Sequence, residues 1–349
     1  HQTILGYCRE LDVELQVLVN SSRNALALPD PKKPAFQLRQ AVNDTRGQLS
    51  ELLARTVSRK ALDQDLSADD RQALLNFLKV YGDLNADLQY KGSVRSGYTR
   101  VPGAGDQTGI TRAPLELQTL LNPKLWGALV FDEIPEFSST MFQPVGGMDR
   151  IPHAFHEQLK DAVRFNAEVS DIQTAELGSR ITYRDRKSGA TQTLNADYAI
   201  VTVPLPLLAK LPSNFSQPFK QAILSAQSDQ ANKVAWQSPR FWETDFNIYG
   251  GLSYLDHEVK GLWYPSDRLN SAQGILVAAY NTSESAQAFS RKSLAEQFAS
   301  SRQAVELLHP GHSTKLHKPV AINWAKVPFS KGPWIVNDEV GESAYQILN

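Results

Sequence analysis

Gln143-Pro144-Val145-Gly146-Gly147-Met148-Asp149-Arg150-Ile151-Pro152 is the point where this chain changes character. Before it the patterns are mostly helical. After it, strand signals dominate. Two adjacent glycines lack Cβ atoms, so their backbone can turn sharply and approach a flat partner closely. The segment also reads as a plain helix-entry turn. Downstream, Ile151 to Phe165 has a helical pattern and Ala167 to Ile172 forms a short strand. Arg180–Tyr183 and Thr191–Leu194 flank Lys187-Ser188-Gly189-Ala190, a hairpin signal. The run Ala196-Asp197-Tyr198-Ala199-Ile200-Val201-Thr202-Val203 suits a strand buried on both faces, and Pro204 ends it. From there to about Lys326, strand and helix signals mix, with strands near Val234, Gly261 and Leu276. That half is α+β.

Upstream, Ile4, Leu5, Cys8 and Leu11 fall on a helical period, and Glu14–Val19 is strand-like. Leu28-Pro29-Asp30-Pro31-Lys32-Lys33-Pro34 reads as a linker, because proline supplies no ladder donor. From Phe36 to Glu133 the chain is largely helical. Leu38, Val42, Thr45, Leu49, Leu52 and Leu53 form the expected inward stripe. Ser67 suits an N-cap, with Asp69 and Asp70 at the positive end of the helix dipole and Leu74, Leu75 and Leu78 facing inward. Pro114 is placed to open another helix. The Val94–Thr111 loop is rich in Gly, Arg and Thr. It lacks the strand that a phosphate-binding turn needs before it.

The 349 residues suggest two or three domains, and 42% hydrophobic with 21% charged residues is the balance of a folded protein. A net charge of −1 with both signs interspersed gives no reason to expect a nucleic-acid partner. No run of about 18 apolar residues predicts a membrane span. Cys8 stands alone and reads as a small buried residue, which excludes an intrachain disulfide and leaves the compartment open. His153 and His156 share a helix turn, and His309, His312 and His317 cluster in sequence. No Asp or Glu accompanies them in a metal-site pattern, so no metal is expected.

Several segments, taken in order, resemble the flavin-dependent amine oxidase family, in its L-amino-acid oxidase branch. Tyr7 to Val13 and the strand to Asn20 are similar to the helix and strand that follow the family's substrate-binding arginine. Gly146, Gly147 and Met148 resemble a segment beside the isoalloxazine. Val169 matches a valine whose backbone holds the adenine, and Val203-Pro204 a step near the dinucleotide. Lys233, before Phe241-Trp242-Glu243, matches a lysine holding water near the reactive flavin nitrogen. Tyr264, in Trp263-Tyr264-Pro265, matches a carboxylate-binding tyrosine; Trp324, in Asn323-Trp324, resembles a tryptophan lining the flavin site. The resemblance is thin within the helical insertion.

That resemblance implies an α/β and α+β multidomain fold: part of a glutathione-reductase-like FAD-binding domain, an inserted helical domain and a mixed substrate domain. The implied division is 1–32 (FAD and substrate), 33–135 (helical), 136–204 (FAD), 205–330 (substrate) and 331–349, returning toward the FAD domain. The implied reaction is FAD-dependent oxidative deamination. Hydride leaves Cα, the imine hydrolyses to a 2-oxo acid and ammonia, and O2 becomes hydrogen peroxide. The family's GxGxxG unit, its arginine and its C-terminal flavin segment are not found here. Complementary chains supplying them, and an oligomer, are therefore expected. Polyamine or monoamine oxidation, and a non-catalytic piece of such a fold, are the alternatives.

Overall fold

A computed structural model describes residues 2–62, 65–336 and 342–348. Of the expected return segment 331–349, residues 337–341 and 349 lie outside the described residues. The centre of the fold is a seven-stranded sheet. Its strand order is His317–Asn323, Ala231–Pro239, Gln273–Thr282, Gly261–Trp263, Leu252–Leu255, Leu26–Leu28 and Phe36–Gln37. All neighbours are antiparallel except Leu252–Leu255 with Leu26–Leu28. Strands at Val234, Gly261 and Leu276 are where the residue patterns put them.

Alternation decides which side of this sheet is core. Along Ala231–Pro239, Asn232, Val234, Trp236 and Ser238 are buried, while Lys233, Ala235 and Gln237 are half-buried. Leu252–Leu255 alternates the same way. Successive side chains point to opposite faces, so one pattern per strand suffices. The Leu294–Leu308 helix covers the core face, burying Gln297, Ser300, Ser301, Ala304, Val305 and Leu308 at three- and four-residue spacing. Its start is fixed by a capping box between Ser293 and Glu296. Trp236 donates from Nε1 to Ser301 Oγ at 2.9 Å, tying helix to sheet.

The proline-rich stretch 28–34 is not a linker between separate bodies. Leu26–Leu28 is wholly buried in the sheet, and the prolines make the turn that brings Phe36–Gln37 back beside it.

Ser67 caps the Ala68–Tyr81 helix by accepting from Asp70 N, as its sequence suggests. Leu74 and Leu75 pack beside buried Leu78. The long Leu38–Ser58 helix differs from expectation. Leu49, Leu52 and Leu53 are exposed, and the buried stripe is Leu38, Gln40, Ala41, Asp44, Gly47, Ser50, Ala54 and Val57. The Tyr90 ring lies so close to Gly47 that a Cβ there would sit 2.3 Å from it. Tyr90 donates its hydroxyl to Asp44 at 2.6 Å, and Asp44 also accepts from Ser96 and Leu115 N. A buried carboxylate with all these donors faces inward because exposed leucines cost less than orphaned polar groups. Pro114 opens no helix; nine residues on, Pro123 does, after the capping Asn122.

A separate three-stranded antiparallel sheet joins Ala167–Ala175, Gly178–Asp185 and Thr191–Ala196, which realises the expected hairpin. The run after it departs from expectation. Residues 197–204 form no strand, and Tyr198 and Ile200 are 91% and 94% exposed. A strand buried on both faces needs neighbours on both edges, and none pairs with it among the described residues.

Candidate active site

Lys233 lies on the sheet face away from the Leu294–Leu308 helix. It stands directly opposite Tyr280 on one side and Ile322 on the other. Tyr280 stands opposite Gly261, and Gly261 opposite Tyr254. Directly opposed residues share a face, so Ile322, Lys233, Tyr280, Gly261 and Tyr254 form one row across five strands. Gly261 adds no side chain to it. Lys233 Nζ lies 4.5 Å from the Tyr280 ring centroid and 4.8 Å from that of Trp263. Burial pushes the Lys233 amine below its ordinary range. Burial likewise pushes the Tyr280 phenol up, and pushes Tyr254 up with help from the charge of Asp132.

Tyr264 is not on this face. It is fully buried, and its hydroxyl meets Ser253 Oγ at 2.8 Å and His309 Nε2 at 2.7 Å. Ser253 Oγ also accepts from Leu26 N. Burial raises the Tyr264 phenol well above its usual range. That enclosure sets Tyr264 in the core cluster, away from the face that carries Lys233. The physical reason is strand alternation. Trp263 and Tyr264 are consecutive, and Trp263 is the one turned to Lys233.

His309 completes the buried cluster. Burial pushes it down to about 3, with the charge of His312 adding a little. Its Nδ1 has no hydrogen-bond partner among the described residues. A bare acceptor is cheaper to bury than an orphaned N–H, which favours the tautomer that donates from Nε2 to Tyr264.

Trp324 is half-buried and sits just past the edge strand, two residues beyond Ile322. Its neighbour Asn323 caps the turn by accepting from Ala325 N at 3.0 Å.

The residues expected at the dinucleotide fall in two places. Val169, Val203 and Pro204 line one groove of about 490 Å³ together with Phe329. Arg164, Arg186 and Lys210 also line it, with Arg186 3.8 Å from the Glu168 carboxylate. Apolar and cationic side chains in one groove suit a flat heterocycle carrying phosphates. Gly146, Gly147 and Met148 belong instead to the turn after Met141–Pro144, which pairs with Leu15–Leu18. Gly146 and Gly147 have φ of +90° and +121°, conformations that side chains rarely adopt. Met148 is 66% exposed. Among the described residues, no three of His, Cys, Asp and Glu gather as a metal site, and no helix is long and apolar enough to cross a membrane.

Two residues of the Lys233 cluster escaped the sequence reading. Trp263 was legible in principle, since a strand cannot present both members of Trp263-Tyr264 to one face. Tyr280 ends an apolar run, and only strand pairing shows that it faces Lys233.

The profile of the family described as flavin containing amine oxidoreductase matches residues 1–349. An L-amino-acid oxidase of Sistrurus catenatus edwardsii is 28% identical over 156 residues. That match covers 43% of this chain and spans only 30% of the relative's length. Putrescine oxidase bound to putrescine superposes with a TM-score of 0.59 at 15% identity, covering 96% of this chain and 74% of the other. Cyclohexylamine oxidase from Brevibacterium oxydans IH-35A gives 0.56 at 12%, covering 95% and 72%. At those identities the likeness is one of fold.

Proposed function

The chain belongs to the flavin-containing amine oxidoreductases, with FAD as the cofactor, and from that premise we propose that it is the central part of an oxidase acting on L-amino acids. The products would be a 2-oxo acid, ammonia and hydrogen peroxide. The observation that carries this reading is Lys233, a half-buried amine held by two rings with no carboxylate paired to it among the described residues. The relative named above supports the choice of L-amino acids.

When bound, FAD supplies a two-electron acceptor for the carbon bearing the amine. Val169, Val203 and Pro204 would floor its adenine end, and Arg164, Arg186 and Lys210 would meet anionic oxygens at the groove edge. Lys233 would donate from Nζ to a water and hold it in the half-dry site. Trp263 and Tyr280 would exclude bulk solvent from the amine, and Trp324 would border the same face. Gly146–Met148 would lie along the flavin's path. Further polypeptide, as complementary chains, would cover the exposed run at Tyr198–Val203 and complete the dinucleotide site.

The burial of Tyr264 favours a second reading, oxidation of amines without a carboxylate, because it removes the expected carboxylate donor. One experiment separates the two. The native particle is assayed for flavin absorbance and for peroxide release with an L-amino acid and with its decarboxylated amine. A higher kcat/KM on the amino acid supports the first reading, and a higher value on the amine supports the second. Absence of flavin bands would sink both.

A further inference from the structure

We propose that Trp263 and Tyr280 are positioning residues that hold the Lys233 ammonium between two π faces, so that aromatic rings, in place of a carboxylate, set the aim and charge of the site's amine. The inference rests on reading Lys233 as that amine, but its test does not depend on oxidation.

Three observations carry it. Nζ lies within 5 Å of both ring centroids, inside the range of about 6 Å where a ring's quadrupole attracts a cation. The rings come from two different strands, so the contact is fixed by sheet register: Tyr280 directly opposes Lys233, and Trp263 stands on the next strand. The site is also partly dry, since burial by itself lowers the Lys233 amine. Dry surroundings strengthen a cation–π contact and make an unpaired ammonium costly.

The arrangement has chemical consequences that an ion pair would not share. A carboxylate would lock the proton on and occupy N–H donors. A π face attracts the charge without accepting a directional hydrogen bond at full strength, so Nζ keeps donors for a water. The rings offset part of the burial cost. The amine is thus left closer to neutrality than a surface lysine, yet remains fixed in place.

The test is the titration of Lys233 in the intact, flavin-loaded enzyme without substrate. Trace acetic anhydride labelling is followed against pH, with peptide mass spectrometry reading that lysine alone. Loss of a π face withdraws support from the cation, so the midpoint moves down. Tyr280→Leu and Trp263→Leu should each lower it by about 0.4–1.5 units. Tyr280→Phe, which keeps the ring, should stay within about 0.3 units. Fluorinated tryptophan at position 263 weakens the face with almost no change of shape and serves if a leucine variant fails to fold. Each added fluorine should then step the midpoint down. A midpoint that stays put or rises in the leucine variants, or one indifferent to fluorination, overturns the proposal. Loss of peroxide release in Lys233→Met tests the role of Lys233 itself, so the two failures are distinguishable.

Discussion

The two faces of the seven-stranded sheet use alternate residues of the same strands, yet they hold their polar groups by different means. On the helix-covered face, hydrogen bonds link Ser253 to Tyr264 and Tyr264 to His309 in a fully buried cluster. On the other face, Lys233 has two aromatic rings and, among the described residues, no hydrogen-bonded anion. The first arrangement resists change, because every deletion leaves a buried partner unsatisfied. The second leaves a titratable group able to respond to what binds beside it. Perturbed groups without a structural partner are where chemistry is sought.

Truncation should tell most strongly on the core face. Tyr264→Ala removes a fully buried ring and should cost about 3–5 kcal/mol of stability by denaturant titration. A cost below about 1 kcal/mol would mean that Tyr264 is not core. Lys233→Met should do the reverse. Peroxide release should fall about a hundredfold or more while the thermal midpoint holds or rises, since a costly buried cation is removed. Tyr264→Phe sits between them. It should cost about 1–3 kcal/mol by orphaning Ser253 and His309, with KM for an amino acid unchanged. A raised KM at normal stability would restore the carboxylate-binding role that strand alternation denies it.

The acid limb of stability supplies a smaller effect. The folded state holds His309 at about 3, below its ordinary 6.5. Protonation therefore favours the unfolded chain, and the contribution present above pH 6.5 is lost progressively as pH falls toward 3. His309→Gln can keep a hydrogen bond to Tyr264 but cannot titrate. Its thermal midpoint should fall less steeply than the parent's over that interval. Parallel curves would mean that other groups govern the acid limb.

Much of this fold could be read from residue patterns, and the failures have a common cause. Ser67 and the hairpin at 187–190 are local devices, and the structure contains both. Strands at Val234 and Leu276 follow from short-range composition. The Leu38–Ser58 stripe was misjudged because Asp44 is buried by partners 46, 52 and 71 residues away, which no window along the helix contains. The placement of Tyr264 is hidden for a similar reason: a motif names a residue, but the pleat decides which neighbour stands beside Lys233. Lys233 could be singled out as a candidate, whereas Tyr280 required the register of a strand more than forty residues later.

The smallest effect expected concerns two apolar runs that look alike in sequence. Leu276–Ala279 is buried to within 5% exposure between paired strands, whereas Ile200 in Tyr198–Val203 is 94% exposed. An apolar run is buried only if something lies against it, and that partner is invisible in the run itself. Ile200→Ser in the isolated chain should therefore change stability by less than about 0.5 kcal/mol, as exposed substitutions do. In the intact enzyme the same change should cost about 1–3 kcal/mol if further polypeptide covers the run, because a buried aliphatic side chain contributes on that scale. Equal small effects in both settings would leave Ile200 a surface residue and remove the main support for complementary chains at this edge. A large effect in the isolated chain would show that the run is already buried there, against the exposure on which the comparison stands.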